Sequence, residues 1–311
     1  MATSNFTRQL AVDSGIGRLM DDLGAAMTCP GTVFMLGGGN PAHIPKVEQA
    51  LREAMSRITG SPERFGHMVG DYDPPHGNRA FSEALAGLLS EQGWPVKPEN
   101  IALTHGSQSA FFSLFNMLAG TFSDGTRRKI LLPLIPEYIG YSDLGLEPDL
   151  LVSAQPTIEH IDTHLFKYHV DFERITTLLA QHRIGAMCVS RPTNPTGNVL
   201  TNTEMQTLCD LAKQHQIPLI IDNAYGLPFP GIVFEEAKPI WNEHTILCLS
   251  LSKLGLPGTR TGIVIASKEQ IDALSRITAI MSLAPGSMGA TLATELIGSG
   301  QMMELSRDVV R

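Results

Sequence analysis

Cysteine is scarce in this chain of 311 residues. The four present, Cys29, Cys188, Cys209 and Cys248, make no CxxC pair, which argues against a disulfide-stapled secreted scaffold and against a thiolate zinc site. The histidines contain no HExxH pair and no grouping with the cysteines, so no metal site is expected. Long apolar runs are missing as well. None reaches the length of a membrane-crossing helix, and the opening "MATSNFTRQLAVDSG" lacks the apolar stretch of a signal peptide. Excess positive charge is a further absence: 23 Lys and Arg face 31 Asp and Glu, a net charge of −8. Nucleic acid and anionic membrane are therefore poor candidates as partners, and a metal-free, cytoplasmic protein is expected.

What the chain does have is enough apolar residue, 43% against 17% charged, for one large core or two domains. From about residue 98, short apolar runs alternate with amphipathic stretches. Strands are predicted at 101–104 (IALT), 129–134 (KILLPL), 185–190 (GAMCVS), 217–222 (IPLIID), 245–252 (TILCLSLS) and 262–267 (GIVIAS). Helices are predicted between them at 107–120, 171–182 and 201–216. Continuous apolar strands separated by helices imply an α/β fold whose mainly parallel central sheet lies between helices. Residues 1–47 differ: a short helix-like segment precedes the loop-like "VFMLGGGNPAHIP", whose GGGN is not a GxGxxG fingerprint.

Open α/β sheets bind ligands at the carboxyl ends of their strands, so the residues that follow each strand carry the chemistry. After IALT come Ser107, Gln108 and Ser109, opening a helix; hydroxyls and free N–H groups there suit a phosphate, or simply cap the helix. Tyr138 follows KILLPL, where its ring can stack on a planar ligand or sit in a surface turn. Asn194 lies in "RPTNPTGNV", a rigid turn whose amide can donate to a ligand oxygen. Asp222 closes an apolar run, so it is buried and needs a cation, or else caps the next segment. Tyr225 follows it closely. Ser250, Lys253 and Arg260 come after the next strand, in "SLSKLGLPGTRTG". A lysine, a buried acid, donors for a phenolic oxygen, a stacking ring and a phosphate cup are what pyridoxal 5'-phosphate (PLP) requires.

The motifs NPTG (194–197), DxAY (222–225) and SxSK…GxRxG (from 250) resemble those of the fold-type I PLP enzymes, in the class I/II aminotransferase family. The longer stretches LGGGNPA, GSQSAFF, PEYIGY, IDNAYGLPFPGI and SLSKLGLPG extend the likeness over most of the chain, toward the branch that exchanges amino groups between valine or alanine and pyruvate or 2-oxoisovalerate. The resemblance implies a ping-pong transaminase of amino-acid biosynthesis with Lys253 as Schiff-base lysine. It implies Asp222 as partner of the pyridine nitrogen, and Tyr225 and Asn194 at the phenolic oxygen. It puts Ser107, Gln108, Ser109, Ser250 and Arg260 around the phosphate, with Tyr138 stacked on the ring. Tyr72 would reach a neighbouring subunit's phosphate in a homodimer, and Gly39, with Asn194, would contact the substrate.

In that frame residues 1–47 form an N-terminal arm with part of a small domain. Residues 48–311 form the large PLP-binding domain, ending in the start of an interdomain helix. Two departures stand out. Arg260 follows Lys253 by seven residues where many relatives have eight, and the C-terminal small domain with its carboxylate-binding arginine is expected to lie outside this chain; neither Arg307 nor Arg311 matches that arginine. A C–S lyase or decarboxylase on the same fold, and a fragment that binds PLP but turns over weakly, are the alternative readings.

Overall fold

A computed structural model describes residues 3–34, 40–238 and 240–310. The six predicted apolar runs are strands, among ten in the described residues: β1 (Ile101–His105), β2 (Gly120–Thr121), β3 (Arg127–Leu132), β4 (Leu151–Ser153), β5 (Thr157–His160), β6 (Phe166–His169), β7 (Ile184–Ser190), β8 (Leu219–Asp222), β9 (Thr245–Ser250) and β10 (Thr261–Ile265). Every residue of β7, β8, β9 and β10 is buried, which explains why these strands are continuously apolar and not alternating. Eight strands form one sheet, in the order β1-β10-β9-β8-β7-β3-β2 with β4 on the far side of β3. β4, β3, β7, β8 and β9 run parallel, whereas β10 is antiparallel to both β9 and β1.

The helices are α1 (Asn5–Leu10), α2 (Gly15–Thr28), α3 (Pro45–Thr59), α4 (Pro62–Gly70), α5 (Arg79–Glu91), α6 (Ser107–Leu118), α7 (Phe172–Gln181), α8 (Asn202–Gln214), α9 (Lys268–Ser282), α10 (Ser287–Gly298) and α11 (Gln301–Leu305). They cover the sheet on both sides. Alternate strand residues such as Met187, Ile221 and Leu249 join a core with α3, α5, α8 and α10. Their neighbours Cys188, Ile220 and Cys248 pack with α6 and α9 on the other face. The cysteines on that second face act as small apolar fillers, and all four cysteines are free.

Several features depart from or refine the sequence reading. The strands β2, β4, β5 and β6 were not predicted; β5 and β6 pair as a separate antiparallel hairpin. Residues 3–34 hold two helices, α1 and α2, and neither contains a buried residue. Helix α3 begins at Pro45, so the expected boundary at 47 falls in its first turn.

Candidate functional site

The register of the sheet gathers the predicted residues at one edge. Ser190 at the end of β7 pairs with Asp222 at the end of β8, which pairs with Cys248 near the end of β9. Because β10 is reversed, it starts where β9 stops: Gly262 pairs with Ser250, and Thr261 with His105 at the end of β1. The loops carrying Ser107, Asn194, Tyr225, Lys253 and Arg260 therefore open on the same side.

Near β1 the edge is shaped by glycine. Gly106 precedes α6 with φ 82°, and its carbonyl accepts the Ser109 hydroxyl at 2.9 Å. No side chain caps this helix, and none of the described residues accepts the N–H groups of Ser107, Gln108 or Ser109. Those amides, at the positive end of the helix dipole, are free for an anion. A Cβ on Gly106 would collide with the Arg260 guanidinium, which shows how closely that cation approaches the cup. Gly262 is equally constrained, since a Cβ there would lie 2.5 Å from the Gly106 carbonyl carbon and 2.6 Å from Ser107 N. Arg260 is exposed and forms no ion pair among the described residues. Ser250 is buried and accepts the Ser252 N–H at 3.1 Å. The Gln108 amide donates to the Gly140 carbonyl at 2.8 Å, so its side chain is engaged with the Tyr138 loop and not with the cup.

The middle of the edge is acidic and buried. Asp222 Oδ2 accepts from Tyr141 Oη at 2.6 Å, and Oδ1 accepts from the Ala224 N–H at 2.9 Å. Asp222 has no ion-pair partner among the described residues. Burial pushes its carboxyl above the usual range, opposed by these hydrogen bonds and by Lys253. Lys253 sits on a short 3₁₀ turn, Ser252–Leu254, with Nζ 5.3 Å from the centre of the Tyr225 ring. Tyr138 packs edge-on against Tyr141, their ring centres 5.4 Å apart. Asn194 lies half-buried in the loop after β7, its side chain unbonded to other described residues. That loop is fastened from behind by buried Arg191, which donates to the Leu200 carbonyl, the Lys238 carbonyl and Asn202.

Similarity to known proteins agrees with this geometry. The family model Aminotransferase class I and II matches residues 156–309. Valine–pyruvate aminotransferase of Escherichia coli strain K12 is 50% identical over 312 residues, covering 100% of this chain and 74% of that protein. The chain belongs to the class I and II aminotransferases. Among solved structures, valine–pyruvate aminotransferase AvtA from Salmonella typhimurium LT2 is 50% identical, with a TM-score of 0.82 over 95% of this chain and 72% of that one. Aspartate aminotransferase of Thermus thermophilus, at 21% identity and a TM-score of 0.76, shares the fold.

Aminotransferases of this family use PLP, and the edge described above fits it. A buried carboxylate without a cation awaits a pyridine N–H, while an unpaired guanidinium and three unaccepted amides await a phosphate. Not every expected residue joins the cluster. Tyr72 is 84% exposed, and Gly39 lies outside the described residues. A cavity of about 800 Å³ lies on the hairpin side of the Asn194 loop, lined by Phe166, Tyr168, Gly197 and Asn198, and includes neither Asp222 nor Lys253. Sequence reasoning missed Glu137, Tyr141 and Ser190, which surround Asp222. The first two stand in the motif PEYIGY, from which only Tyr138 was assigned.

Proposed function

We propose that the chain transfers the amino group of valine or alanine to pyruvate or 2-oxoisovalerate in a ping-pong cycle. The observation that carries this is the presence of a buried Asp222, without an ion-pair partner among the described residues, and of Lys253 at the same sheet edge, in a chain half identical to a valine–pyruvate aminotransferase. Bound PLP supplies the electron sink that weakens the Cα–H bond of the amino acid. Lys253 Nζ would take that proton from Cα and hand it to the cofactor carbon. The carboxylate of Asp222 would accept the ring N–H and so keep the ring cationic. Tyr225 and Asn194 would donate to the phenolic oxygen, and Tyr138 would stack on the ring. Ser107, Ser109, Ser250, Arg260 and the open amides of α6, that of Gln108 included, hold the phosphate. Gly39 and Asn194 meet the substrate carboxylate.

Residues 48–311 act as the cofactor-binding domain and 1–47 as an arm with part of a second domain. The working form is a cytoplasmic homodimer. Supporting it are the exposure of Tyr72, at 84%, and that of a run of large apolar side chains at the end of α9, Ile280 at 89%, Leu283 at 65% and Met281 at 52%, which a partner subunit would cover. Tyr72 would then complete the phosphate cup of that partner. A choice between valine and alanine rests on two methyl groups in an apolar pocket, worth about 1–3 kcal/mol each at most.

The test is the visible absorption spectrum of the protein with PLP, before and after L-valine and then pyruvate. A band that valine bleaches and pyruvate restores, with alanine as product, is expected. A band indifferent to both substrates, or ammonia released without consumption of pyruvate, would refute transamination.

A further inference from the structure

Between Asp222 and the loop after β3 runs a line of hydrogen bonds that the chemistry above leaves unused. Glu137 Oε1 accepts from the Ser190 N–H at 2.9 Å, and Oε2 lies 2.5 Å from Ser190 Oγ. Ser190 Oγ is 3.2 Å from Tyr141 Oη, which donates to Asp222 Oδ2 at 2.6 Å. Ser190 and Tyr141 are almost fully enclosed, at 3% and 1% exposure, so water does not substitute for them. We propose that Glu137 is a positioning residue that acts on Asp222 through Ser190 and Tyr141, and so tunes the carboxylate that faces the cofactor ring. This rests on the PLP reading above.

Counting hydrogens supports it. Four oxygens in line define three gaps, but the two hydroxyls supply only two hydrogens. With Glu137 ionised, Ser190 points to Glu137 and Tyr141 to Asp222, leaving the central gap empty. The distances have that pattern: short at both ends and long in the middle. A proton on Glu137 supplies the third hydrogen. Glu137 then donates to Ser190, Ser190 to Tyr141 and Tyr141 to Asp222, and the run becomes continuous and mutually polarised. Burial, with the charge of Asp222 adding to it, brings the Glu137 carboxyl up to about 7, so the two arrangements exchange near neutrality.

The other titratable groups around the pair do not compete. Tyr138 and Tyr141 on the same loop, Cys188 on β7 and Cys248 on β9 are all pushed up by burial and stay neutral. Lys253 faces Asp222 from the β9–β10 loop, and Arg260 faces Tyr138. The charge that can change between Asp222 and the β3 loop is therefore that of Glu137.

The experiment follows the visible band of the PLP-loaded protein against pH for the wild type, Glu137→Gln, Ser190→Ala, Tyr141→Phe and the Glu137→Gln/Tyr141→Phe pair. Glu137→Gln is expected to move the midpoint to lower pH by about half a unit or more and to reduce the curve to a single-proton transition. Ser190→Ala, which keeps the acid but cuts the link, should shift it in the same sense. In the Tyr141→Phe background the effect of Glu137→Gln should fall to less than half. A Glu137→Gln curve superimposed on the wild type would overturn the proposal, as would a shift that survives undiminished without the Tyr141 hydroxyl. Absence of any visible band in the wild type would instead defeat the PLP reading itself.

Discussion

The two ends of the cofactor edge are built on opposite principles. Around Gly106, Gly262 and Arg260 the chain removes side chains so that backbone amides and one exposed guanidinium can crowd together. Around Asp222 it adds them: Tyr141, Ser190 and Glu137 fill the space with buried polar groups that satisfy one another. The first arrangement holds a permanent charge, the Arg260 guanidinium. The second surrounds a charge whose value governs reactivity, and pays for it with a costly buried acid. Retention and reactivity are thus assigned to separate places, and substitutions should separate them too.

The sharpest break is Lys253→Ala, which removes the proton carrier and should lower valine–pyruvate turnover by about four orders of magnitude or more. Steady-state alanine formation measures it, and near wild-type turnover would refute the assignment. Next, Asp222→Ala should cut kcat by about 10²–10³ at saturating PLP, because a pre-organised charge facing the ring is lost.

The pH dependence of stability in cofactor-free protein gives a smaller effect, with a definite sign. Burial lifts Glu137 from 4.5 to about 7, so the folded state keeps a proton that the unfolded chain releases. Its contribution is complete below about pH 4.5 and is lost as pH rises toward 7, at about 1.4 kcal/mol per unit and about 3 kcal/mol in all. Denaturant titrations should show that slope flattened in Glu137→Gln; an unchanged slope would place the titration elsewhere. Smallest of the four, Arg260→Ala should weaken PLP binding by about 10- to 100-fold, equivalent to about 1.5–3 kcal/mol for a charge-assisted bond. Because it lies at the retention end, kcat at saturating cofactor should barely move. A fall in kcat matching that of Asp222→Ala would erase the distinction between the ends.

The same contrast marks what was legible from sequence. The buried strands announce themselves because both faces are covered, and the residues after them are marked by glycine, proline and charge. So β7, β8, β9, α6 and α8 and the residues at the strand ends could be read directly. The direction of β10 could not, since a fully buried strand has the same apolar run whichever way it points. The β5–β6 hairpin was hidden because its residues are mostly exposed and it lies off the main sheet. Glu137 was invisible for a related reason. A glutamate between proline and tyrosine looks like a solvated turn, and only the end of β7, 53 positions away, encloses it. Residues that act alone at a strand end leave a signature, whereas residues that act through one another need the fold to bring them together.

The reversal of β10 has a further consequence. With β9 and β10 as antiparallel neighbours, residues 251–260 leave and re-enter the sheet at one edge, so Lys253 and Arg260 belong to a single short hairpin loop. A molecule gripped by both is measured by that loop as by a pair of calipers, whose opening is set by local backbone geometry and not by the distant packing of domains.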